Sequence, residues 1–252
     1  MNIEPSFDGR VVVVTGAGSG IGRAGAAAFA RAGAHVLGVG RRAPALAGTA
    51  GLHPSIATHP ADLRDPQAAE AVVEDARSRW GRLDVVVNNA GVFAAMPLAA
   101  LDPAAVDELL STNVLAPGFL TKAALPSLRS TRGAIVNVSS VLGHRPAPDA
   151  AYYGASKAAL EHLTRSWALE LASSGIRVNA VAPGPTESEA LAASGLDTDT
   201  IEGIKRQETA RIPLGRRGTP EDVATWVVRL ADPDATWLTG QVLTVDGGLE
   251  LV

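Results

Sequence analysis

The chain has no cysteine, two tyrosines, two methionines, and four residues each of phenylalanine and tryptophan among its 252. Without cysteine, disulfides, thiolate nucleophiles and cysteine-ligated metals are excluded. The histidines His35, His53, His59, His144 and His162 show no metal-ligand spacing, so no metal is expected. Long apolar runs are missing too. None approaches the roughly 20 residues of a membrane-crossing helix, and residues 1–10 lack a charged-then-apolar export pattern. A cytoplasmic protein with no membrane partner is the expectation. Basic runs stop at the pairs Arg41-Arg42 and Arg216-Arg217, and the net charge is −4, which argues against a nucleic-acid partner.

Lysine is the scarce cation. Only Lys122, Lys157 and Lys205 stand among 22 basic residues, and Lys157 follows Tyr153 by four positions. On a helix those positions share a face. A compact ammonium near a phenol favours the phenolate, which would let a tyrosine exchange protons. Taken alone, the pair reads as an exposed helix face with incidental tyrosine and lysine.

What is abundant is β-branched sequence in short runs. Arg10–Thr15, His35–Val39, Leu83–Asn88, Ala134–Val138, Arg177–Val181 and Gln241–Val245 read as strands buried on both faces, with Ser55–His59 a weaker seventh. Helix-length segments alternate with them at Gly22–Ala32, Pro66–Trp80, Ala104–Leu128 (interrupted near Pro117), Ala151–Ala172 and after Thr219. The alternation predicts one α/β domain, a Rossmann-type doubly wound parallel sheet of about seven strands. Residues 184–218 are polar and irregular and are expected to form a mobile substrate lid.

The first strand runs into Thr15-Gly16-Ala17-Gly18-Ser19-Gly20-Ile21-Gly22 and then a helix. Glycine there lets the backbone approach a pyrophosphate, and the helix N-terminus offers free N–H groups to the anion. Further along stand Asp62-Leu63, Asn88-Asn89-Ala90-Gly91, Asn113, Ser139-Ser140, Tyr153-x-x-x-Lys157 and Pro183-Gly184. In this order and spacing, from Asp8 to Gly248, the chain resembles the short-chain dehydrogenase/reductase family, in its subgroup of about this length.

The resemblance implies a nicotinamide dinucleotide held by Gly16, Gly18, Ser19, Gly20, Ile21, Gly22, Asp62, Leu63, Asn89, Ala90, Gly91, Tyr153, Lys157, Pro183, Gly184 and Thr186, with Ser188 a further candidate. It implies a catalytic set of Asn113, Ser140, Tyr153 and Lys157. Ser140 is chosen over Ser139 because it precedes Tyr153 by the family's usual thirteen residues. Ser140 would donate to the substrate oxygen, Tyr153 would carry the proton, Lys157 would keep Tyr153 acidic and bind the ribose, and Asn113 would hold a water linking Lys157 to solvent. Substrate contacts are expected at Ser140, Leu142, Tyr152, Tyr153 and Pro185, with Val92, Phe93, Val141 and the lid near Leu191 as neighbours. The substrate is expected to be a small carbonyl or alcohol with an apolar body. A homotetramer, or a homodimer, is implied through Asn113–Leu128, Ala151–Ala172 and Leu243–Val252.

The second strand ends Gly40-Arg41-Arg42 where enzymes preferring NAD commonly carry an acid. Gly40 leaves room for a 2′-phosphate, and Arg41 and Arg42 offer forks that match it. NADP(H) is therefore favoured. NAD(H) stays open, because Ser19 stands where many NADP-dependent relatives carry a base. Two rival readings remain: a nucleotide-bound sensor without turnover, and a lyase or epimerase that uses its cofactor transiently.

Overall fold

A computed structural model of the chain describes residues 6–187 and 197–252. Ser188 and Leu191 lie outside the described residues. Seven strands form one sheet, parallel throughout, in the order β3-β2-β1-β4-β5-β6-β7. They are β1 (Val11–Thr15), β2 (His35–Gly40), β3 (Ile56–Pro60), β4 (Val85–Asn88), β5 (Ala134–Val138), β6 (Arg177–Pro183) and β7 (Val242–Val245). The helices are α1 (Gly20–Arg31), α2 (Ala43–Ala50), α3 (Pro66–Trp80), α4 (Pro103–Leu110), α5 (Ala116–Thr131), α6 (Ala151–Leu171), α7 (Thr198–Arg211) and α8 (Pro220–Ala231).

The strands alternate faces, and both faces are covered. Val12 and Val14 of β1 join Val36, Val87, Val136 and Val181 against α1 and α8, around Phe29, Val223 and Val227. Val11 and Val13 point the other way, into the layer of α3, α5 and α6, with Val72, Leu120, Leu128 and Ala168. Reversal of strand order between β1 and β4 opens a crevice at the carboxyl ends of the strands, the usual ligand position in such sheets.

Local chemistry sets the helix ends. The Asp65 carboxylate accepts from the Gln67 amide at the start of α3, and Gly81 closes it in the left-handed conformation (φ 73°). Thr219 and Asp222 form a reciprocal capping box at α8, with Pro220 in the first turn. The expected break near Pro117 lies just upstream. Pro117 stands two residues past the end of a π-helical turn over Ser111–Leu115, in a helical run that continues from α4 into α5; its missing N–H removes one backbone bond there, and the irregularity lies in that turn. Within 184–218 the structure adds α7, a polar helix capped by Asp197.

Candidate active site

The crevice is a cleft of about 740 Å³ that runs from the β1–α1 turn to the ends of β5 and β6. It is lined by Gly16, Gly18, Ser19, Gly20, Ile21, Arg41, Arg42, Asp62, Leu63, Asn89, Ala90, Gly91, Tyr153, Lys157, Pro183, Gly184 and Thr186. Every described residue expected at the nucleotide except Gly22 is on that wall. Gly22 lies directly behind it, where an added Cβ would meet the Gly16 carbonyl at 2.3 Å. Gly16 adopts φ 65° and presses on the Asn89 amide, which donates to the Thr15 carbonyl at 2.8 Å. The Thr15 hydroxyl in turn accepts from the Asn89 and Ala90 amides, both at 2.9 Å. This closely backed glycine turn at the start of α1 fits a pyrophosphate, with Ser19 at the helix N-cap beside it.

At the far end of β2, a Cβ on Gly40 would meet only the Leu46 side chain, at 3.6 Å. Arg41 and Arg42 line the cleft beside it, with the Arg42 guanidinium 3.4 Å from the Ser19 hydroxyl. Arg64 joins them, a residue that the sequence reading passed over. Its only sequence signal is its place two residues after Asp62. It grips the Asp62 carboxylate through paired nitrogens, with a shortest contact of 2.6 Å. That grip holds the Asp62 carboxyl below its ordinary value. Glu108 of α4 spans both arginines, 3.7 Å from Arg41 and 3.8 Å from Arg64.

Ser140, Tyr153 and Lys157 meet at the other end. Ser140 stands two residues beyond β5 and accepts from the Leu142 amide at 3.2 Å, which leaves its proton for Tyr153. Tyr153 and Lys157 share one face of α6, as their spacing predicts. The Lys157 Nζ donates to the Val138 carbonyl at 2.9 Å and lies over the Tyr153 ring, 5.8 Å from its centroid. Phe93 covers Tyr153 edge-on, with ring centroids 5.0 Å apart.

Burial sets the protonation here. It pushes the Tyr153 phenol above its ordinary value, and a hydrogen bond with Ser140 works in the opposite direction. Burial also lowers the Lys157 ammonium to about 8. The expectation that Lys157 makes the phenol acidic is not met in this arrangement. The ammonium faces a carbonyl and a ring, so desolvation governs the phenol.

Asn113 is fully buried behind the cleft, in the π-helical turn. Its amide donates to the Val92 carbonyl and to the Ser156 hydroxyl, both at 3.0 Å, and its oxygen accepts from the Val92 amide at 2.9 Å. Leu142, Tyr152 and Pro185 fall outside the lining, unlike Val92 and Phe93. Tyr152 neighbours Tyr153 on a helix, so it points about 100° away. The Leu142 carbonyl abuts Gly154, and the Pro185 carbonyl accepts from the Gly218 amide at 3.0 Å. Thr186 stands at the mouth, its hydroxyl donating to the Gly184 carbonyl at 3.0 Å.

Known proteins resemble this chain along nearly its whole length. Residues 16–250 match a family model described as enoyl-(acyl carrier protein) reductase, of the short-chain dehydrogenase type. The 3-oxoacyl-(acyl-carrier-protein) reductase FabG of Thermotoga maritima is 38% identical over 96% of this chain and 98% of its own length. The meso-2,3-butanediol dehydrogenase of Serratia marcescens is 36% identical over 96% of this chain and 95% of its own. A crystal structure of a short-chain dehydrogenase/reductase from Caenorhabditis elegans with cofactor superposes with a TM-score of 0.92 at 33% identity, covering 98% of this chain and 97% of that one. The chain therefore belongs to the short-chain dehydrogenase/reductase family. It is an oxidoreductase of the class that acts on CH–OH groups and binds NAD or NADP.

Proposed function

We propose that the protein reduces ketones with NADPH, and oxidises the matching secondary alcohols in reverse, through Ser140, Tyr153 and Lys157. The observation that carries this reading is the meeting of those three side chains on one wall of the cleft whose opposite end holds Gly40, Arg41, Arg42 and Arg64. The nicotinamide supplies the hydride. Ser140, whose hydroxyl lies within a hydrogen bond of Tyr153, would turn its proton to the carbonyl oxygen and stabilise the charge that grows on it. Tyr153 then delivers its proton to that oxygen. Its raised pKa suits this direction, because the phenol stays protonated at neutral pH. Lys157 places a positive charge beside both groups. The amide of Asn113 is engaged on Val92 and Ser156, so it fixes the floor under Gly91 and Lys157.

The arginines support NADP(H) over NAD(H). Three guanidinium groups gather around a residue without a side chain, where a 2′-phosphate would need both space and positive charge. Val92 and Phe93 give the substrate end an apolar wall, which fits a ketone with an apolar body. The named relatives, a 3-oxoacyl reductase and a butanediol dehydrogenase, carry ketone or secondary alcohol chemistry in their names. Of the expected lid, residues 188–196 lie outside the described residues; the described remainder with α7 would cover this end. The exposed Leu110, Leu115 and Leu169 of α4 to α6 support assembly as a homotetramer or homodimer, which sedimentation measures directly.

The test is a panel of ketones and secondary alcohols with each nicotinamide, followed by cofactor absorbance. Turnover with kcat/KM at least about tenfold higher for NADPH is expected. A preference for NADH would remove the assignment of the arginines. Cofactor binding without turnover on any member would favour the sensor.

A further inference from the structure

Glu161 of α6 is a buried carboxylate that the reaction does not use; its side chain is 4% exposed. It faces three groups. The Ser139 hydroxyl donates to it at 2.9 Å, the His144 Nδ1 stands 3.1 Å away, and Arg165 lies at 3.9 Å. Gly143 packs so closely that a Cβ there would stand 2.5 Å from the carboxylate. Ser139 also reaches the Lys157 carbonyl at 3.3 Å. One carboxylate thus contacts the residue before Ser140, the loop after Ser140 and, through Ser139, the backbone of Lys157.

The other side of this loop meets the C-terminal turn. His144 Nε2 stands 3.0 Å from the Glu250 carboxylate. Arg145 donates to the carbonyls of Leu249 and of Val252. Asp246 shapes that turn by accepting from the Gly248 and Glu250 amides at 2.8 and 2.7 Å. Its backbone also presses on Gly184, at the opposite wall of the cleft. His144 therefore bridges two carboxylates, one buried under the Ser140 loop and one at the end of the chain.

We infer that Glu161 and His144 are positioning residues, which hold Ser140 and Lys157 in register and make that register depend on the docked C-terminal turn. The inference rests on the reductase reading for its kinetic readout only. Buried acceptors fix the orientation of a loop where solvated ones do not, and small displacements of a hydrogen-bond donor from the reacting oxygen cost rate steeply.

The experiment compares Glu161→Gln, His144→Gln, Glu250→Gln and the pair His144→Gln/Glu250→Gln in the full chain. It reads kcat and KM, NADPH affinity by fluorescence, Tm, and amide hydrogen exchange of residues 140–145. We expect kcat to fall about tenfold in Glu161→Gln and about threefold in each of the other single variants, with NADPH affinity held within about twofold. We expect the pair to be no worse than His144→Gln alone, because the two act in series. Faster exchange at 140–145 is expected in every variant. Wild-type kcat in His144→Gln and Glu250→Gln with unchanged exchange overturns the inference, as does a fall in kcat matched by equal losses of NADPH affinity and Tm. Should Glu161→Gln not fold, the His144 and Glu250 variants carry the test alone. Should the wild type turn over no carbonyl, the reductase reading fails while the exchange data still decide the coupling.

Discussion

The Nζ of Lys157 donates to the carbonyl of Val138 at 2.9 Å, which ties α6 to the last residue of β5 just before the two serines. The bond gives a buried cation an acceptor in a place that strips its water. Burial still prevails, because Lys157 is held down to about 8. The ammonium therefore carries a standing cost in the cofactor-free fold.

Replacing that ammonium should expose the cost. Lys157→Met is expected to stabilise the cofactor-free protein at neutral pH by on the order of 1 kcal/mol while abolishing turnover. The sign follows from linkage. The folded lysine titrates near 8 and the unfolded one near 10.5, so the unfolded chain binds more protons in between and wild-type stability rises with pH across that window. The advantage of the variant should shrink from pH 8 upward. Denaturant melts at several pH values decide it, and a variant less stable than wild type at pH 7 would sink the idea.

The same value predicts a rate profile. In the direction of ketone reduction, kcat/KM should be level through neutral pH, since the raised Tyr153 phenol keeps its proton. It should decline above about pH 8 as Lys157 loses its charge. A profile that stays flat beyond pH 10 would separate Lys157 from the reaction.

Tyr153→Phe removes one hydroxyl and keeps the ring that Phe93 packs on. Loss of about 10²–10⁴-fold in kcat is expected with NADPH affinity little changed. Fluorescence titration beside steady-state kinetics reads both, and near-normal kcat would end the proton-transfer assignment.

Gly22→Ala would place a Cβ 2.3 Å from the Gly16 carbonyl and 2.5 Å from the Asn89 amide. Backbone must give way there, so cofactor dissociation constants should rise roughly tenfold or more with the fold retained. Unaltered nucleotide affinity would show that the turn does not hold the pyrophosphate.

Gly40→Asp meets no such obstacle, with only the Leu46 side chain at 3.6 Å. The added carboxylate should repel a 2′-phosphate and accept from ribose hydroxyls instead. The ratio of kcat/KM for NADPH over NADH should fall by about tenfold to a hundredfold. A ratio that does not move would place the phosphate elsewhere.

Much of this was legible in the residues. The β-branched runs predicted the seven strands, including the weak β3, because burial on both faces leaves little room for polar alternation. Pro66–Trp80 was readable to the residue from apolar residues at helical spacing. The helix α7 was hidden, since its polar composition carries no apolar stripe. Arg64 was hidden because its role depends on β3 ending beside β2, a matter of sheet order. Leu142 and Tyr152 were expected in the cleft from closeness in sequence to Ser140 and Tyr153, but direction around a turn or helix decides what a side chain faces. The environment of Tyr153 was the least legible part. Spacing could bring ammonium and phenol to one face, but only packing could show which is the more desolvated.

The widened turn over Ser111–Leu115 has one more consequence. It holds an extra residue between α4 and α5, and that surplus brings the amide of Asn113 onto Val92. Deleting one position from this stretch would close the turn to ordinary pitch and shift the amide of Asn113 away from Val92. The floor beneath the reacting atoms is thus fixed by a count of residues as much as by their kind, so a frame-preserving loss of one codon there would be more damaging than most substitutions.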